Sequence, residues 1–161
     1  MRRVSDVYPR LKGRSESGFS IAELVTVVAV IAVIMAAAAP FFLSYLRTSA
    51  LRSGAEEMAT VLNRARQIAI RDNTSMCVTN NATSVQFHVA TCGGTVWTGP
   101  GTDSSGVITL ANAITVSSGQ NIVFTYLGTA STAGAYTVTN PRDGRTMSVT
   151  VTAAGRVSVG P

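Results

Sequence analysis

Between Leu24 and Leu43, twenty residues pass with only Thr26 and Pro40 interrupting an apolar run. As a helix at about 1.5 Å per residue this stretch spans about 30 Å, the thickness of a bilayer's hydrocarbon core. A helix that is apolar on every side cannot be satisfied by the one-sided core of a small domain. The run therefore commits the chain to a membrane or to burial among other apolar helices. A single carboxylate, Glu23, stands at its entrance, where an ionised group is expensive and calls for a reason. In front of it, Arg2, Arg3, Arg10, Lys12 and Arg14 face only Asp6 and Glu16, so residues 1–18 carry a net +3. A basic flank stays on the cytoplasmic side, which sends everything beyond the run across the membrane.

The rest of the chain divides the charge differently. Its eight arginines and six acids leave +2, and it contains no lysine. With 161 residues in all, the chain has room for one modest domain behind the anchoring helix. Two cysteines, Cys77 and Cys92, would lie in an oxidising compartment, where pairing is expected. Closing a loop of ~15 residues contributes roughly 3 kcal/mol on the chain-entropy view. The alternative is a pair of unbonded small core residues.

Three readings of the front end compete. A plain single-pass anchor accounts for the length of the run. A cleaved secretory signal accounts for the small residues Ala36 to Ala39; cleavage after Ala39 would place Pro40 at the scissile bond, whereas cleavage after Ala38 escapes that objection. Neither explains Glu23. Past Leu43 the pattern becomes amphipathic, with Leu51, Met58, Leu62, Ala65 and Ile68-Ala69 at helical spacing and arginines mostly between them. The spacing predicts one long helix from about Ile21 to Arg71, ended by Asp72-Asn73. Pro40 lacks an N–H and obstructs the preceding turn, so a kink or local melting is expected there. The arginine-rich face reads as solvated.

Beyond Asn73 the period changes to two. Ser84–Val89 and Thr146–Thr152 alternate cleanly, and shorter candidate strands cover Ser75–Thr79, Val107–Leu110, Ile114–Ser117, Ile122–Leu127, Tyr136–Thr139 and Val157–Val159. Turn signals such as Asp143-Gly144 and Ala154-Gly155 separate them. The expectation is an α+β fold: a long N-terminal helix whose amphipathic half covers the apolar face of an antiparallel sheet. Cys77 and Cys92 would staple the first hairpin near its open end. Trp97 and the tyrosines are expected to pack this head.

Gly18-Phe19-Ser20-Ile21-Ala22-Glu23-Leu24 and the following run resemble the class III signal of type IV pilins and type II secretion pseudopilins. The head resembles the GspH/FimT branch of that family. The matching elements are Ala65-Arg66-Gln67-Ile68-Ala69-Ile70-Arg71-Asp72-Asn73, Cys77-Val78, Trp97-Thr98-Gly99, Phe124-Thr125-Tyr126-Leu127-Gly128 and Gly155-Arg156-Val157. The resemblance implies a leader at 1–18, a transmembrane and filament-core helix at 19–46, an amphipathic helix at 47–73 and a periplasmic β-rich head at 74–161. It also implies cleavage between Gly18 and Phe19 by a prepilin peptidase, N-methylation of Phe19, and assembly roles for Glu23 and Pro40. The expected setting is the inner membrane, with the N-terminus cytoplasmic, and later a pilus or pseudopilus near its tip. Expected partners are membrane lipid, the assembly platform of that membrane, and other major and minor pilins or pseudopilins.

No enzymatic constellation is recognised, nor a cofactor or metal site. His88 is the single histidine, on the polar side of a candidate strand, and zinc-site spacing is missing. Asp103 lies in a Gly/Ser loop without the further carboxylates that calcium sites use. Some FimT-like pilins bind DNA through a C-terminal Gly-Arg-x-Arg element. This chain has Gly155-Arg156-Val157-Ser158, without the second arginine. Arg142, Arg145 and Arg156, read as lying on adjacent loops, remain candidate phosphate contacts. DNA binding is therefore the alternative, not the favoured reading.

Overall fold

The computed structural model describes residues 18–111 and 113–161. The chain falls into two compact units, residues 1–40 and residues 41–161. A single helix, α1 (Ile21–Arg71), contributes to both. Its start is set by Ser20, whose Oγ accepts from the Ala22 N–H at 3.2 Å while its carbonyl accepts from the Leu24 N–H. Glu23 occupies the first turn, the end of a helix that favours negative charge. Thr26, the first interruption of the apolar run, turns its hydroxyl onto the Glu23 carbonyl at 2.9 Å, so its polarity is met within the helix. The apolar side chains from Leu24 to Met35 find no cover among the described residues.

Pro40 lies inside α1 with helical residues on both sides. Local melting there is thus not observed; the backbone holds its helical form although Pro40 supplies no donor. The leader expected at 1–18 lies, apart from Gly18, outside the described residues.

In the second unit α1 buries Leu51, Gly54, Ala55, Met58, Val61, Leu62, Ala65, Ile68 and Ala69, a stripe at three- and four-residue spacing. Gly54 has a packing reason. A β-carbon there would lie 2.3 Å from Ile114 Cδ1, so glycine lets the head approach the helix closely. The helix ends in a Schellman motif: the Thr74 N–H reaches the Ala69 carbonyl and the Asn73 N–H that of Ile70, with Asn73 at φ 48°.

Among the described residues nine strands follow: β1 (Met76–Asn81), β2 (Ser84–Val89), β3 (Val107–Thr109), β4 (Thr115–Ser118), β5 (Ile122–Phe124), β6 (Ala130–Thr132), β7 (Gly134–Thr139), β8 (Thr146–Val151) and β9 (Val157–Gly160). They form two antiparallel sheets rather than one, ordered β3-β2-β1-β5-β6 and β4-β7-β8-β9. The strand expected over Ile122–Leu127 stops at Phe124. Gly128, at φ 79°, turns the chain back through a Gly128 N–H to Thr125 carbonyl bond, and β6 returns beside β5. Ala130-Ser131-Thr132 carries little apolar bulk, so alternation did not reveal it.

Asn80 ties the sheets together. Its Nδ2 donates to the Val116 carbonyl at 3.0 Å, and its Oδ1 accepts from the Ser118 hydroxyl at 2.8 Å. Tyr136 adds a second tie, with its buried hydroxyl donating to the Val78 carbonyl at 2.8 Å. Burial pushes the Tyr136 phenol up to about 12. Cys77 and Cys92 form a disulfide, their Cα atoms 5.0 Å apart, at the open end of the β1–β2 hairpin. Tyr45 and Tyr126 are exposed and take no part in the core.

Candidate functional site

Gly18 and Phe19 are exposed ahead of α1, and Phe19 retains 80% of its accessible surface. Glu23 is exposed one turn further on and has no ion-pair partner among the described residues. An ionised carboxylate beside exposed aliphatic side chains is costly to bury without a cation.

The three candidate phosphate-binding arginines are not brought together. Arg142 and Arg145 lie on the β7–β8 loop, before β8, whereas Arg156 follows its far end. Six residues of strand at roughly 3.3 Å each put about 20 Å between the two ends. The helix provides a second ruler. Arg145 Nη1 donates to the Thr48 hydroxyl at 2.8 Å, while the Gly155–Arg156 turn packs beside Arg66, about 27 Å further along α1 at its standard rise. The expectation of one patch on adjacent loops is thus overturned by the length of β8.

Each end of that separation has its own construction. At the Arg142 end, buried Asn140 organises the loop, accepting from the Arg142 N–H through Oδ1 and donating through Nδ2 to the Arg47 carbonyl at 3.3 Å. Asp143 lies 3.6 Å from Arg145 Nε, and its Oδ1 accepts from the Arg145 N–H. Leu43, Leu46, Arg47, Ala50, Asn140 and Arg142 line a cavity of about 180 Å³. At the Arg156 end, Gly128 and Gly155 meet backbone to backbone, and Arg66 Nε donates to the Gly128 carbonyl at 2.7 Å. The glycines noted in the sequence are therefore a docking joint between two hairpins.

Sequence reasoning missed the partners of two helix arginines. Arg66 closes the joint just described. Arg64 lies over the Trp97 ring at 5.5 Å from its centroid, and Trp97 packs on Phe87 at 6.1 Å. The face assigned to solvent thus clamps two head loops. A groove of about 630 Å³ opens beside it, lined by Arg64, Gln67 and Arg71 of α1 and by Trp97, Pro100 and Gly101 of the loop. Arg71 is committed to Asp72 through two hydrogen bonds, of 2.7 and 3.0 Å, which hold the Asp72 carboxyl below its ordinary value. Asp103 Oδ1 accepts from the Ser105 and Val107 N–H groups, a turn-stabilising role. Among the described residues no three His, Cys, Asp or Glu side chains form a metal-binding group.

Residues 43–155, more than half of the chain, match the family described as Type II transport protein GspH. The chain belongs to the GspH family. The fold is similar to that of the type IV minor pilin FimU of Pseudomonas aeruginosa, with a TM-score of 0.55 and 18% identity over 73% of this chain and 92% of that one. It is also similar to the minor pseudopilin EpsH from the type 2 secretion system of Vibrio cholerae, with a TM-score of 0.52 and 12% identity, covering 68% and 94%. No curated protein matches the sequence significantly. As a GspH family member the chain is a pilin-like subunit of a secretion or pilus system, anchored by a single apolar helix and assembling with other pilins or pseudopilins. Members of this family are structural subunits.

Proposed function

We propose that this GspH family chain is a non-enzymatic minor pilin or pseudopilin, cut by a prepilin peptidase between Gly18 and Phe19, methylated on Phe19, and added near the tip of its filament. Residues 1–18 are then the leader, 19–46 the membrane and filament-core helix, 47–73 the helix that covers the head, and 74–161 the periplasmic head. The N-terminus enters from the cytoplasm, and the assembly platform of the inner membrane draws the subunit out of the bilayer. What carries this reading is the pairing of Glu23, exposed and without a cation among the described residues, with an uncovered apolar helix that begins three residues after Gly18. A neighbouring subunit's new N-terminal amine supplies the cation that Glu23 lacks, and neighbouring helices supply the apolar cover. Pro40 leaves one turn of the helix short of a hydrogen bond, which lowers the cost of stretching it during assembly.

Mass spectrometry of the N-terminal peptide from membrane-extracted protein tests the proposal. The expected peptide begins at Phe19 and carries one extra methyl group. A start at Ala39 or Pro40, the mark of ordinary signal cleavage, overturns it. The DNA-binding alternative read Arg142, Arg145 and Arg156 as lying on adjacent loops. With these at opposite ends of β8, it is not advanced.

A further inference from the structure

We propose that the cavity between α1 and the β7–β8 loop binds the phosphodiester headgroup of an anionic phospholipid. The inference rests on the reading that the Leu24–Leu43 run lies in a bilayer. Leu43 is the last residue of that run and is itself a wall of the cavity. Phe41, Phe42, Leu43, Tyr45 and Leu46 are all exposed here, a mixed aromatic and aliphatic band of the kind that settles at a headgroup boundary. One turn beyond Leu43, Arg47 enters the cavity wall, and Arg142 meets it from the loop. Neither has an ion-pair partner among the described residues. The nearby acid, Asp143, is engaged by Arg145.

The lining chooses the ligand. Two arginines share the lining with Leu43, Leu46 and Ala50, a combination of positive charge and apolar surface that matches an anionic phosphate attached to an apolar stem. The volume of about 180 Å³ equals about six water volumes of ~30 Å³, room for a phosphate and its glycerol. A nucleic-acid backbone at the same arginines would have to lie against the exposed aromatic band. Asn140 fixes the geometry, because its amide holds the Arg47 carbonyl on one side and the Arg142 N–H on the other. The site is thus built from helix and loop together, and a bound lipid would seat the base of the head on the membrane until the subunit leaves it.

The test uses the full chain in bilayer nanodiscs containing phosphatidylcholine and phosphatidylglycerol in equal amounts, with the lipid retained on ejection read by native mass spectrometry. Wild-type protein is expected to retain phosphatidylglycerol in preference, and R47Q/R142Q to lose that preference by about thirtyfold, the scale of two arginines beside an anionic surface. R52Q removes an exposed arginine that pairs with Glu56 and does not line the cavity, and should leave the preference intact. Inorganic phosphate added in excess should not displace the lipid, since it lacks the apolar stem. Equal retention of both lipids, an R52Q loss as large as that of R47Q/R142Q, or displacement by phosphate or by an oligonucleotide overturns the site while leaving the anchor standing. Failure of the chain to enter the bilayer overturns both.

Discussion

Gly155 and Gly144 have nearly the same backbone angle in very different surroundings, which allows one contact to be weighed. Their φ values are +77° and +70°. A β-carbon at Gly144 would meet nothing within 4 Å, whereas one at Gly155 would lie 2.0 Å from the Gly128 carbonyl oxygen and 3.0 Å from its carbon. Both alanine variants bear the cost of a left-handed conformation, roughly 1–2 kcal/mol. Only Gly155→Ala also forces two hairpins apart, at about 1–3 kcal/mol for overpacking. That movement pulls the Gly128 carbonyl from Arg66 Nε, now 2.7 Å away, and a hydrogen bond to a charged group contributes roughly 1.5–3 kcal/mol. The expected losses are about 1 kcal/mol for Gly144→Ala and about 4 kcal/mol for Gly155→Ala. At a urea slope of roughly 1.5 kcal/mol/M the second variant unfolds about 2 M earlier than the first. Urea titration of the full chain in detergent measures this, because Trp97 is the sole tryptophan and packs on Phe87 in the head. Equal midpoints for the two variants would refute the docking joint and leave only backbone strain.

Three further outcomes follow from other parts of the molecule. Tyr136 titrates near 10.0 when unfolded and about 12 when folded, so its contribution is complete below pH 10 and is lost as pH rises through about 12. Tyr136→Phe should abolish that alkaline loss while lowering neutral stability by about 1 kcal/mol through the missing bond to Val78, as read from urea midpoints at several pH values. Cys77→Ser/Cys92→Ser opens a loop of sequence separation 15 and should destabilise the head by roughly 3 kcal/mol in the same assay; an unchanged midpoint would mean that the reduced chain is already held by β1–β2 pairing. Glu23→Ala should reduce incorporation into sheared filaments without reducing carbonate-resistant membrane association, and normal incorporation would count against its pairing with a neighbour's amine.

Periodicity made most of the architecture legible. The helix from Ile21 to Arg71 has the limits that hydrophobic spacing and the Asp72-Asn73 stop implied, because a nine-residue buried stripe leaves an unambiguous trace. Strands with bulky alternation, such as Ser84–Val89, were equally visible. What escaped was information held in backbone contacts rather than in side-chain pattern. β6 was invisible because Ala130-Ser131-Thr132 resembles a loop, and its pairing depends on the turn at Gly128. The division into two sheets was hidden for a similar reason: Asn80, a residue that reads as a turn former, instead bonds both Val116 and Ser118.

The arginines show most clearly where a linear reading fails. Positions 142, 145 and 156 are close in number, and short hairpins make nearby turns look like neighbours. A hairpin, however, alternates its turns between opposite ends of the sheet. The loop before β8 and the loop after it are therefore as far apart as the strand is long, about 20 Å for six residues. Contacts with α1 then give each end a different character. Arg145 reaches Thr48, just past the apolar run, and places its loop beside Leu43 and Arg47. Arg156 follows the glycine that docks on Gly128 beside Arg66, close to where the helix ends. Charge that looked like one patch in the sequence is thus divided between the two ends of β8. Arg142→Gln should accordingly change lipid retention while leaving the urea midpoint unmoved, whereas Arg66→Gln should lower the midpoint and leave lipid retention unmoved. A variant that altered both readouts together would show that the two ends are coupled through the head and would end this division of labour.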